Sequence, residues 1–192
     1  MDTRERLVAG TAELLWERGY VGTSPAAILK RTGVGQGSLY HHFTGKQDLA
    51  IAAIEANAMT LKVATQAALA PPGTAYERLE RWLLREREVL RGCRIGRLAQ
   101  DPEVYADEAL RAPVEEVLGW VRDALAEVIA EGQAAGELNR AVPAQDLASA
   151  LIATLQGGYV IARAAHDAER FHSAVRGVLA LLRTQVLSEG VA

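Results

Sequence analysis

From Thr3 onward the apolar residues recur three and four positions apart, and nowhere does the alternating Val/Ile/Thr/Tyr pattern of a strand appear. No Asn-Gly or Asp-Gly hairpin signal occurs either. Alanine, leucine, glutamate and arginine, all good helix formers, dominate the chain. The sequence therefore predicts an all-α protein of about nine helices. Its 192 residues suffice for one large domain, or for a small module joined to a bigger one.

Local punctuation orders the helices. Asp2 and Glu5 fit the N-cap and N3 positions of a first helix that reaches Arg18 and is closed by Gly19. Ser24-Pro25 opens a second helix, serine as cap and proline at the first helical position, which stops at Thr32-Gly33. A third short helix is expected over Gln36 to His42. Thr44 and Gln47 have capping-box spacing for a long helix to Leu69, ended by Pro71-Pro72-Gly73. Further helices are expected over Ala75 to Leu90 and Ile95 to Gln100, with an interruption at Asp101-Pro102. A long stretch from Ala106 to Ala135 should kink or restart at Pro113. Two more should cover Ala144 to Ala165 and, capped by Asp167, Ala168 to Leu187.

Several classes drop out. No window approaches the roughly 18 consecutive apolar residues of a membrane span, and no signal-peptide core follows the N-terminus. Cys93, the single cysteine, cannot form an intramolecular disulfide, which points to the cytoplasm. There is no G-x-S-x-G, no H-E-x-x-H and no phosphate-binding loop around Gly45-Lys46, so no catalytic residue is expected and the chain is not read as an enzyme. No cofactor is expected. His41 and His42 would point about 100° apart on a helix, and no third ligand lies at metal-binding spacing. The formal net charge of −3 is spread so that residues 1–50 carry six Lys/Arg against five Asp/Glu. Charge by itself does not mark a nucleic-acid binder; a local arrangement must.

Gly19 to Leu49 supplies one. Two helices of about two turns flank Thr32-Gly33-Val34-Gly35, the geometry of a helix-turn-helix whose second helix enters the DNA major groove. Gln36 and Gly37 lead that helix, and Gln36 and Ser38 can bond base edges or phosphates. Tyr40, His41 and His42 reach phosphates, while Leu39 and Phe43 point back to the core. Lys46 adds a positive charge at the start of the next helix, and Thr23 and Ser24 offer hydroxyls and backbone N–H groups at the second.

The order and spacing of Gly19-Tyr20, Thr23-Ser24, Ile28, Gly33-Val34, Gly37-Ser38-Leu39-Tyr40, His42-Phe43, Lys46 and Asp48-Leu49 resemble the TetR family of one-component transcriptional regulators. Pro25 and Gly35 depart from the family's usual residues. Gly92-Cys93-Arg94-Ile95-Gly96-Arg97-Leu98 is similar to a G-C-x-x-G-x-L element of one C-terminal subgroup. The resemblance implies a DNA-binding domain over residues 1–48 and an effector-binding and dimerisation domain over 49–192. It further implies a homodimer on a palindromic operator, released when a small organic molecule enters the larger domain. An activator of the same architecture, or a helical ligand-binding module that binds no operator, are the alternatives.

Aromatic and polar residues that could line an effector pocket are Trp82, Cys93, Tyr105, Trp120, Gln156 and Tyr159. Cys93 stands among Arg91, Arg94 and Arg97, which would favour a reactive thiol; packing at a helix junction is the plainer reading. The last two helices carry apolar stripes that could be buried internally or meet a symmetry mate. The family resemblance favours the mate, with Leu151, Leu155, Gly158, Ile161, Phe171, Val175, Val178 and Leu182 as interface residues.

Overall fold

The structure, a computed structural model, describes residues 2–186. Among these residues nine α-helices follow in order: α1 (Thr3–Arg18), α2 (Pro25–Thr32), α3 (Gln36–His42), α4 (Lys46–Leu69), α5 (Ala75–Leu84), α6 (Pro102–Ala106), α7 (Glu108–Ala134), α8 (Ala144–Ala165) and α9 (Glu169–Arg183). No strand occurs among them, only an isolated antiparallel bridge between Leu138 and Val186. Leu187, the expected end of the last helix, lies outside the described residues.

The helix ends show which local signals act. Asp2 accepts from the Glu5 N–H at 2.7 Å and Glu5 from the Asp2 N–H at 2.9 Å, a complete capping box. Ser24 caps α2 through the Ala27 N–H, and Gly33 closes it at φ 64°, a left-handed conformation that costs glycine nothing. At α4 the expected partner is replaced. Asp48, not Gln47, reaches back to the N–H and hydroxyl of Thr44.

Four expectations in the middle of the chain are corrected. α5 stops at Leu84 rather than Leu90 because the Arg87 guanidinium donates to the carbonyls of Leu83 and Arg85, taking over bonds that a further helical turn would make. A single 3-10 turn, Val89–Arg91, follows. Asp101-Pro102 starts α6 instead of interrupting, with the aspartate as N-cap and proline at N1. Residues 95–100 form turns and a 3-10 segment, Leu98–Gln100, not an α-helix. Finally, α7 begins at Glu108 and passes through Pro113 unbroken. The one intrahelical bond that proline forgoes does not end a helix of 27 residues.

The chain packs as two compact units: residues 1–61 with 93–118, and residues 62–92 with the chain from 119 on. In the first, Leu7, Leu14, Ile28, Val34, Leu39, Phe43 and Leu49 form one core under α1–α3. A second core joins Leu15, Tyr20 and Ile54 to Ile95, Leu98, Val104, Leu110 and Val114, so residues 93–118 are built onto α1 and α4. In the second unit α8 and α9 pack on each other and α5 packs on α9. These are divisions of packing.

Candidate nucleic-acid interface

α3 stands out from the first unit on a single anchor. Of its seven residues only Leu39 is buried, with Val34 and Phe43 securing the chain at either end and the Arg4 guanidinium 5.3 Å from the Phe43 ring centre. Gln36, Gly37, Ser38, Tyr40, His41 and His42 all remain exposed, Tyr40 by 54%. A Cβ added at Gly35, Gly37 or Gly45 would meet nothing within 4 Å. The protomer's own packing therefore does not demand small residues around this helix. The His41 and His42 rings meet edge-on, 5.0 Å between centres.

The flanking candidates differ. Ser24 is exposed, its oxygen occupied as the α2 cap but its O–H free to donate. Thr23 is a correction: it is buried, its hydroxyl donating to the Gly19 carbonyl at 2.7 Å and its N–H to the Tyr20 carbonyl. Both groups are spent within the turn and neither reaches outward. Lys46 is drawn inward, its ammonium 3.7 Å from the Tyr20 ring centre and 4.0 Å from a Glu103 carboxylate oxygen. The Tyr20 phenol titrates above its ordinary value, because of burial first and then the negative charges of Glu103, Asp107 and Asp101.

The sequence reading passed over the residues behind this surface. Asp101 is buried and accepts from the N–H groups of Tyr20 and Val21. Gln47 donates to Asp107 at 2.8 Å. Arg94 donates to Glu13 and Asn57 and lies 3.7 Å from the Trp16 ring centre, bracing α1 and α4. Cap chemistry in Asp101-Pro102-Glu103 was a legible signal for α6; nothing in the sequence pointed to the turn at Tyr20.

Neither the cleft at Trp120 nor the groove between α5 and α9 brings the six effector-pocket candidates together. Trp82 is buried, its indole N–H on the Thr65 hydroxyl at 3.3 Å. Tyr159 is half-buried, stacked at 4.7 Å on Phe171, and Gln156 is half-buried on the same helix. Tyr105 is 72% exposed, and Cys93 packs half-buried against the second core of the first unit. Trp120 lines a cleft of about 290 Å³ with Gln66, Leu69, Arg78 and Val128; the other five candidates take no part in it. A groove of about 460 Å³ between α5 and α9, at Tyr76 and Arg176, includes none of the six.

The interface candidates on α8 and α9 divide unevenly. Leu151, Leu155, Gly158, Phe171, Val175 and Leu182 are covered inside the protomer and face inward, a correction to their expected outward role. Val178 is half-buried, and Ile161 alone stays exposed. The apolar side chains left outside include Ala150, Ala153, Val160 and Ile161 on α8 with Ala180 and Leu181 on α9. Among the described residues, α8 is the one helix long and apolar enough to pass for a membrane span by length and composition.

Comparison with known proteins gives these features a setting. Residues 7–53 match the family described as bacterial regulatory proteins, tetR family, and residues 74–178 match the tetracyclin repressor-like C-terminal domain. The transcriptional regulator AcuR of Cereibacter sphaeroides is 29% identical over 179 residues, 90% of this chain and 81% of that protein. The crystal structure of a TetR transcriptional regulator from Chloroflexus aurantiacus superposes with a TM-score of 0.85 at 30% identity, covering 96% of both chains. The regulator CifR, crystallised as a cysteine mutant with a 26-base-pair operator DNA, shares the fold with a TM-score of 0.80 at 23% identity, over 95% of this chain and 97% of that one.

Proposed function

The chain belongs to the TetR family of transcriptional regulators and is a regulator rather than an enzyme; from that premise we propose that it binds a palindromic DNA operator as a homodimer and represses transcription until a small organic molecule enters the domain of residues 49–192. The observation that carries this reading is α3: a two-turn helix held by Leu39 alone, with six exposed polar or small residues and three surrounding glycines that no internal contact requires. Residues 1–48 are the DNA-binding part. Gln36, Gly37 and Ser38 meet base edges in the major groove, and Tyr40, His41, His42 and Ser24 meet phosphates. Lys46 joins them by leaving Glu103 for a phosphate. Such a protein works in the cytoplasm, where bacterial DNA lies.

Pairing of two copies follows from the outer face of α8 and α9. The most apolar 18-residue window of α8 is only 28% buried within the chain. A Cβ at Gly157 or Gly177 would meet nothing. Ala150, Ala153, Val160, Ile161 and Leu181 complete an apolar face that a second copy would cover by a two-fold arrangement. Two recognition helices must then stand about 34–36 Å apart to enter successive major grooves, and a ligand that favours another spacing releases the DNA. The Trp120 cleft, near the lower end of ordinary ligand-site volumes, is the place we assign to that ligand. The repressor sign rests on the C-terminal family match.

A fluorescence-anisotropy titration against DNA flanking the protein's own gene, at two salt concentrations, tests the reading. The expected result is a preference of about 10³-fold or more over random DNA, with a steep salt slope. Binding indistinguishable from random DNA throughout the genome would overturn it.

A further inference from the structure

We infer that Asp101 is the positioning residue that sets the helix-turn-helix, by holding the α1–α2 turn to the start of α6; this deepens the operator-binding reading and rests on it. Asp101 is buried, only 8% exposed, and its carboxylate joins two stretches some 80 residues apart. Its Oδ2 accepts from the N–H groups of Tyr20 at 2.7 Å and Val21 at 3.0 Å. Its Oδ1 accepts from the Glu103 N–H at 3.1 Å and, at 3.5 Å, from that of Val104. One buried anion thus serves the first turn of α6 and the turn that leads into α2. Bonds to a charged acceptor out of water are the strong kind, and donors stripped of such an acceptor are costly.

Gly19 fits the same account. Its φ of 75° suits glycine, and a Cβ there would stand 2.8 Å from Asp101 Oδ2. The residue that closes α1 therefore also leaves room for the carboxylate. The other end of the helix-turn-helix is held from the same side, since Gln47 donates to Asp107 and Lys46 lies by Glu103. α2 and α3 hang between residues 19–23 and Thr44-Gly45, so residues 101–107 hold both the entry to and the exit from the recognition unit. The Gln47–Asp107 bond is exposed, and the Lys46–Glu103 pair is open on its glutamate side. The Asp101 contact is buried, so it is the one that sets the geometry.

Asp101→Ser separates the two jobs of the side chain. Serine caps a helix about as well as aspartate, but its single hydroxyl cannot also serve the turn. Two measurements are made on the full chain. By NMR, the Tyr20 and Val21 amides of D101S should exchange with solvent at least about tenfold faster, with the α1 amides unchanged. By anisotropy, affinity for the preferred duplex from the titration above should fall about tenfold, while binding to random DNA at low salt is retained. A double-mutant cycle adds a check: Gly19→Ala should cost less operator affinity in the D101S background than in the wild type, because the clash with Oδ2 is gone. Unchanged amide exchange, or equal losses on operator and random DNA, would overturn the inference. If the wild type prefers no duplex at all, the operator reading fails by itself, and the amide exchange still decides whether Asp101 holds the turn.

Discussion

The helix-turn-helix and the α8–α9 pair are both made of two consecutive helices, yet the sequence predicted the exposed residues of one and misassigned those of the other. α3 has seven residues and a single apolar one between its caps, so only one side can turn inward. α8 has 22 residues with apolar groups on more than one face, and α9 is nearly as rich. Leu151, Leu155, Phe171, Val175 and Leu182 were expected at a partner; they form the protomer's own core, and a different face of α8 and α9 is left exposed. A helix with one apolar stripe declares its orientation, whereas a helix with two leaves it to be settled by what packs on it.

The largest effect that tests this contrast is Phe171→Ala. The ring is fully buried against Gly158 and Tyr159, and its removal should cost about 3–5 kcal/mol in denaturant unfolding. Leu181→Ala on the same helix, 69% exposed, should change stability by no more than about 0.5 kcal/mol while weakening self-association in sedimentation. If Phe171→Ala unfolded the protein no more than Leu181→Ala, the assignment of inner and outer faces would be wrong.

Leu39→Ala should follow at about 2–5 kcal/mol, since it removes the one anchor of α3, with loss of all DNA binding. Its neighbour Tyr40→Ala should leave the melting point nearly unchanged and weaken binding to every duplex alike. Gln36→Ala should cost about 1–3 kcal/mol of discrimination at one base pair and flatten the sequence preference there. Unaltered affinity and preference in both variants would remove α3 from the interface.

The finest comparison is between adjacent glycines. At Gly158 a Cβ would press on Phe171 at 3.0 Å; at Gly157 it would meet nothing. Gly157→Ala should therefore stabilise the isolated protomer by up to about 1 kcal/mol through helix propensity, yet weaken its pairing with a second copy. Gly158→Ala should gain no stability or lose some. Thermal melting and sedimentation of the two variants, side by side, read both quantities.

Elsewhere, too, legibility followed sequence distance. The caps at Asp2 and Ser24 were readable because donor and acceptor lie within three residues. The end of α5 was not, because Arg87 folds back on carbonyls where no glycine or proline announces a stop. Pro113 was read as a kink or a restart because its position in the helix depends on where α7 starts, and the start is set by Asp107, whose side chain accepts from the Ala109 and Leu110 N–H groups. Among the site residues, Gln36 to His42 were legible as a motif. Thr23 was misread because its hydroxyl has a partner four residues back, at Gly19.

The sequence by itself determined the all-α class, the short capped helices and the recognition turn, because each rests on residues a turn or two apart and on chemistry that those few residues complete. It left open which faces of α8 and α9 turn inward, where Lys46 spends its charge and what Asp101 does. Those depend on groups brought together from as far as 80 positions away, whose meeting is a property of the packed chain and not of any window along it.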